Sequence, residues 1–172
     1  MLKKEMEKSE YNKFYGRYID AVPENTSLIT GYSESNTAII DFFTAISEEK
    51  FVHRYLPEKW SIKEILQHIV DTERIFALRF LRIARNDKTP LPGYDQDDYI
   101  EPSDADKKTK AELIEEFVIT RAFSTNIVKS INKENLKNIG TVSNSKISAR
   151  ACAFLIIGHA NWHMNIIKER YL

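Results

Sequence analysis

A single cysteine, Cys152, excludes an internal disulfide framework. Long hydrophobic runs are also missing. The longest, from Ala151 to Ile157, falls far short of the roughly 20 residues a bilayer-crossing helix needs, so no membrane partner is expected. Met1-Leu2-Lys3-Lys4-Glu5 leads into no apolar stretch, so no secretory signal is expected and a cytoplasmic location is the default. Neither sign of charge is in excess: 25 Lys and Arg balance 25 Asp and Glu, and nothing pulls the chain toward nucleic acid. Lys3, Lys4 and Lys8 alternate with Glu5, Glu7 and Glu10, and residues 107–116 mix both signs, as a solvated surface does. Glycine and proline are scarce, five of each, which suits long helices with few tight turns. Repeats and low-complexity tracts are absent.

What is present is enough apolar and aromatic side chain for a real core, at a length of 172 residues that is most simply one domain, 1–172. Residues 11–21 are aromatic-rich (Tyr11, Phe14, Tyr15, Tyr18) and suit a short helix or an extended flap, punctuated by Pro23. A first long helix is expected from Asn25 or Thr26 to Glu49, with Leu28, Tyr32, Ile39, Phe43 and Ile46 on one stripe. Ser61 and Glu64 make a capping box for a second helix reaching about Arg85, with Ile62, Ile65, Ile69, Phe76 and Phe80 inward. Residues 86–102, with Pro90, Pro92, Gly93 and Pro102, read as a long loop, functional or lid-like. A third helix is expected from Lys108 to about Ile131, with Leu113, Phe117, Ile127 and Ile131 inward. Residues 132–147 suit a short hairpin or irregular loop. Ser148 can cap a last helix that runs almost to Leu172. Four long helices argue for an all-α four-helix bundle over residues 25–172, with residues 1–23 as an N-terminal segment packed on it.

The last helix carries the sharpest chemical signal, His159-Ala160-Asn161-Trp162-His163. Imidazoles at i and i+4 share a helix face and can bind one ion side by side. At about 100° per residue, Cys152, Leu155, Ile156, Ile166 and Ile167 lie on that same face, so both rings point into the core. Two imidazoles buried there without partners would be costly, and a metal would satisfy both. An inward histidine is commonly just a hydrogen-bonded core residue, and the pair alone leaves both readings open. His68, on the flank of the second helix's apolar stripe beside Thr72, tilts the balance toward metal. Three neutral imidazoles suit zinc, nickel, iron, copper or manganese better than calcium or magnesium, and they leave coordination positions open. His53, in a loop, reads as a surface residue. Cys152 lies seven residues before His159, about 10 Å along the helix, and reads as core. Asp71 reads as a helix-surface residue. Asp95, Asp97 and Asp98 suit either a cover over the metal end or a solvated loop. No HExxH motif, glycine-rich phosphate loop or Ser-His-Asp order is present, and no general base is evident.

Residues 59–74 (Lys59-Trp60-Ser61-Ile62-Lys63-Glu64 through His68 to Arg74), the loop 86–94 and the end from Gly158-His159 through His163 to Arg170 resemble, in that order, motifs of the DinB-like, or YfiT-like, metal-binding superfamily. The resemblance covers nearly the whole chain. It implies an up-down-down-up four-helix bundle, often dimeric, with one metal held by His68, His159 and His163. It also implies an activity drawn from the family's bacillithiol S-transferases, mycothiol-dependent maleylpyruvate isomerase and metal-dependent hydrolases. Close relatives often carry Glu and His where this chain has Ala160 and Trp162, which leaves the ligand positions intact but puts in doubt any proton transfer through that Glu.

The expectation is therefore a metal-dependent enzyme with one divalent transition metal, zinc or nickel first, iron or manganese next. Its substrate is a small molecule, and a low-molecular-weight thiol is the candidate cosubstrate. Thiol S-transfer and hydrolysis compete as chemistries, and the lack of an evident base favours the former. The alternative is a non-catalytic metal-binding or interaction module.

Overall fold

The computed structural model describes residues 1–172. Its helices are α1 (Lys13–Ile19), α2 (Leu28–Ala45), the single turn α3 (Glu48–Phe51), α4 (Ile62–Ala84), the single turn α5 (Asp97–Ile100), α6 (Lys110–Ser130) and α7 (Ala149–Arg170). An antiparallel hairpin, β1 (Ile139–Val142) with β2 (Ser145–Ser148), precedes α7. The all-α expectation holds, with this hairpin as its one sheet. No helix is long and apolar enough to cross a membrane.

Hydroxyl caps set the helix starts. Ser27, Ser61, Thr109 and Ser148 each accept a backbone N–H from the first turn they precede. At Ser61 and Thr109 the glutamates Glu64 and Glu112 reach back to the cap's own N–H at 2.7 Å, closing capping boxes. The expected first long helix is shorter than its pattern suggested. Ser27 starts it at Leu28, and it stops at Ala45, because Ile46 turns extended to bury its side chain and Ser47 caps the new turn α3. The aromatic N-terminal segment resolves as α1. Residues 86–102 are less irregular than expected, since α5 and 3-10 turns follow the Pro-rich part. The hairpin turns on Ser143 and Asn144, both at positive φ, the mirror-image geometry that matches the twist of paired strands. Lys3 and Glu10, expected to be solvated, are buried: Lys3 pairs with Glu24, and Glu10 takes Nε of Arg150 at 2.7 Å.

Side-chain contacts give the direction of each long helix. Early α2 meets early α7, where Tyr32 donates its hydroxyl to Ala153 O, and late α2 meets late α7, where Lys168 lies over Phe42, so the two run parallel. Tyr171, past the end of α7, donates to Trp60 O just before α4, so α4 runs opposite to α7. Gln67 and Glu73 of α4 meet Lys108 and Arg121 at and within α6 in the same order, so α4 and α6 are parallel neighbours. The result is an up-down-down-up bundle with α4 beside both α6 and α7. A parallel pair cannot be joined by a short turn. Residues 85–109 therefore run back along the outside of α4, pinned to the hairpin where Leu91 N donates to Thr141 O and Ser143 N to Leu91 O.

Two apolar clusters fill the bundle. One joins α1, late α4, the hairpin and early α7; the other joins late α2, early α4, early α6 and late α7. Between them lie buried polar side chains: Ser35, His68, Thr72, Glu73, Thr120, Arg121, Ser124, His159 and His163. Arg121 and Glu73, each 2% exposed, form a two-point pair at 2.8 Å through Nε and Nη2, and Ser124 Oγ donates to the same carboxylate. Removing one partner leaves a buried charge uncompensated. Glu73→Ala is expected to cost about 3–5 kcal/mol in urea unfolding, whereas Lys107→Ala, at an exposed pair with Asp104, is expected to cost no more than about 1 kcal/mol.

Candidate metal centre

His68 lies in the second turn of α4, where the Ser61 cap sets the register that turns Ile65, His68, Ile69 and Thr72 inward. His159 and His163 lie one turn apart on α7. Because α4 and α7 are antiparallel neighbours, the three rings meet in the polar layer, 3%, 4% and 7% exposed respectively. His159 Nε2 lies 3.0 Å from His68 Nε2 and 3.1 Å from His163 Nε2, and one ligand nitrogen from each ring falls within 4.8 Å of the others. Aromatic side chains enclose the group. Trp60 tilts against His68 at 4.8 Å between centroids, Tyr18 meets His159 edge-on at 5.1 Å, and Trp162 meets His163 at 4.8 Å.

Burial pushes His68 down to about 4. Burial, then the nearby His163, His68 and Arg17, hold His159 well below its ordinary value; burial, then His68 and Arg17, do the same for His163. All three are therefore neutral at pH 7. A neutral ring nitrogen offers either one N–H or one lone pair. His159 Nε2 faces two other Nε2 atoms, so at most one of the two contacts can be a good hydrogen bond. A cation that takes a lone pair from each ring removes that conflict. Nitrogens bound to one ion at about 2.0–2.1 Å sit about 2.8–3.4 Å apart at octahedral or tetrahedral angles, a range that includes the two short separations. The residues present thus fit a divalent transition metal. No carboxylate belongs to the cluster.

On its outer side, His68 Nδ1 is 3.5 Å from Thr72 Oγ1, which in turn lies 2.9 Å from the Tyr94 hydroxyl. That chain can orient the His68 ring. His159 also forms part of the wall of a cavity of about 580 Å³. The other walls are α1 (Phe14, Tyr15, Tyr18), α4 (Thr72, Phe76, Arg79), the loop residue Tyr94 and the hairpin turn. The cavity mixes apolar and polar surface beside the three nitrogens, as a small-molecule site does.

The remaining candidates separate clearly. His53 is exposed and meets only the edge of Tyr171. Cys152 is fully buried, and burial pushes its thiol up to about 12. Asp71 binds Gln67 and Arg74, away from the histidines. The loop acids Asp95, Asp97 and Asp98 are all exposed, and of them Asp95 borders the cavity. Ala160 is buried in the second apolar cluster, and Trp162 packs on Tyr18 and His163. Sequence reasoning missed Arg79 and the role of α1 and Tyr94 as walls. For Arg79 a signal existed: eleven residues after His68 returns to within about 20° of the same helix face. For Tyr94 the signal was its place in the loop 86–102, which reads as functional or lid-like; for α1 none existed.

A family model described as the DinB superfamily matches residues 32–167. No curated protein matches the sequence. Among solved structures, YfiT from Bacillus subtilis, described as a probable metal-dependent hydrolase with an unusual four-helix bundle topology, superposes with a TM-score of 0.71. The two are 14% identical, and the match covers 86% of this chain and 89% of that one. At that identity the likeness concerns the fold.

The cavity wall formed by α1 depends on one glycine. A Cβ at Gly158, beside His159, would lie 1.9 Å from the carbonyl oxygen of Tyr18, so only glycine lets the α1 backbone rest on α7. Gly158→Ala is expected to cost about 1–3 kcal/mol in urea unfolding and to shift Trp162 emission as Tyr18 withdraws from it.

Proposed function

The chain belongs to the DinB superfamily, and on that premise we propose that it is a metal-dependent enzyme whose single divalent ion, zinc or nickel first, is held by His68, His159 and His163. The observation that carries this reading is the convergence of three buried, neutral imidazoles, one of which, His159, lines an open cavity. The ion would supply a Lewis acid that lowers the pKa of a thiol or a water at the site. The chain's own residues do the rest. Thr72 and Tyr94 orient His68, while Trp60, Tyr18 and Trp162 keep bulk water from the ring faces.

Thiol transfer suits this site better than hydrolysis. Attack by water calls for a positioned base, and no carboxylate accompanies the three histidines. A thiol that has lost its proton needs none. In that reaction a sulfur–carbon bond forms, the bond from carbon to the leaving group breaks, and the thiol proton leaves through the cavity to solvent. The thiol must be a cosubstrate, because Cys152 is sealed in the core with its thiol held protonated. The second reading, hydrolysis, draws on the description of the YfiT relative as a probable metal-dependent hydrolase.

Elemental analysis of purified protein is expected to give about one transition metal per chain, lost in both His68→Ala and His163→Ala. The loaded protein is then expected to speed the displacement of chloride from 1-chloro-2,4-dinitrobenzene by cysteine, with little effect on 4-nitrophenyl acetate. The reverse preference would select hydrolysis. Metal without either turnover would point to a non-catalytic metal-binding module. No metal after reconstitution with zinc, nickel and manganese would overturn the proposal.

A further inference from the structure

Arg79 is a buried cation that the fold leaves without an anion. The bundle buries three arginines, and two of them hold carboxylates: Arg121 pairs with Glu73 and Arg150 with Glu10. Arg79, 5% exposed, has no acidic partner, and its one protein hydrogen bond runs from Nη2 to Pro92 O at 2.7 Å. Its remaining N–H groups have no protein acceptor. Its guanidinium lies 4.6 Å over the Phe76 ring and 5.5 Å from that of Tyr94, which supports the flat group without neutralising it. None of its free nitrogens is sealed from solvent, so they are open to water or to an incoming anion. Arg79 lines the same cavity as Thr72 and His159, and the cavity is the open side from which an anion can arrive. The other charged groups there, Arg17 and Asp95, are exposed, and Arg17 lies over Phe14, Tyr18 and Trp162.

We propose that Arg79 binds a carboxylate on an organic substrate, so that the site beside the three histidines takes small organic acids. This rests on the metal-centre reading for the reaction itself, although the anion site stands on Arg79 alone. A guanidinium matches a planar carboxylate through paired N–H donors, and the aromatic walls suit the carbon skeleton that carries it. The position also sets a length. Arg79 lies eleven residues beyond His68 on α4, a rise of about 16 Å, and its side chain leans back toward the helix N-terminus. The carboxylate therefore binds several atoms away from the reacting end of the molecule. Arg79 acts here as a specificity residue.

Isothermal titration with 4-phenylbutyrate, its neutral counterpart 4-phenylbutanol and inorganic phosphate tests this, on zinc-loaded and zinc-free protein, for wild type, Arg79→Gln and Arg79→Lys. Wild type is expected to bind the acid at least ~10-fold more tightly than the alcohol, the order expected for a hydrogen bond to a charged group. Arg79→Gln should erase that preference and Arg79→Lys keep part of it, with zinc content unchanged. The preference should persist without zinc, so a protein that takes no metal yet shows it would defeat the metal reading and leave this one standing. Equal binding of acid and alcohol, a preference that survives in Arg79→Gln, one that vanishes with the zinc, or tighter binding of phosphate would overturn it. Should Arg79→Gln not fold, wild-type protein decides: 4-phenylbutyrate must protect Arg79 from phenylglyoxal, read by peptide mass, and absence of protection sinks the proposal.

Discussion

The layer of polar side chains across the middle of the bundle is the constraint on which the rest of this structure depends. It separates two apolar clusters and draws on α2, α4, α6 and α7. Its two halves solve different problems. On the α6 side, Glu73 and Arg121 neutralise each other, with Ser124 taking up part of the carboxylate's remaining hydrogen-bonding capacity. On the α7 side, three imidazoles stay neutral because burial opposes their charging, and they point nitrogens at one another. The Glu73–Arg121–Ser124 group is satisfied within the chain. The histidine nitrogens have only one another and Thr72 as partners, and Ser35 Oγ in the same layer has none.

Connectivity decides what this layer faces. With α4 and α6 parallel, the chain between them must return the length of α4, and it brings Tyr94 over Thr72. With α6 and α7 across the bundle from each other, the hairpin closes that end and its turn reaches the cavity. The N-terminal segment completes the enclosure, because Gly158 lets α1 lie directly on α7 and the Glu10–Arg150 pair ties the residues before α1 to the start of α7. A plain up-down-up-down bundle would bury the same histidines without building a chamber beside them.

The chamber and the centre divide the work. The histidines present neutral donors enclosed by aromatic rings, and the cavity presents a buried cation several atoms away. Positions 160 and 162 sharpen the division. With alanine in the core at 160 and tryptophan against His163 at 162, these two positions set apolar side chains beside the rings, and the Thr72–Tyr94 hydroxyl chain is the polar contact of His68.

Much of this was legible in the chain itself. Helical periodicity and hydroxyl caps identify four long helices, because both depend on residues within a few positions of one another. The i, i+4 pair on an apolar face marks His159 and His163 for the same local reason, and the motifs around His68 supply the third ring and the order of the helices. The pattern overran the end of α2, since Ile46 belongs to the core whether the backbone there is helical or extended. The convergence of His68 on the α7 pair, the chamber walls and the isolation of Arg79 were decided only in three dimensions. Each depends on which helices are neighbours, in which direction they run and what fails to reach a given side chain. A buried arginine with a carboxylate and one without look alike in sequence, and only tertiary packing tells them apart.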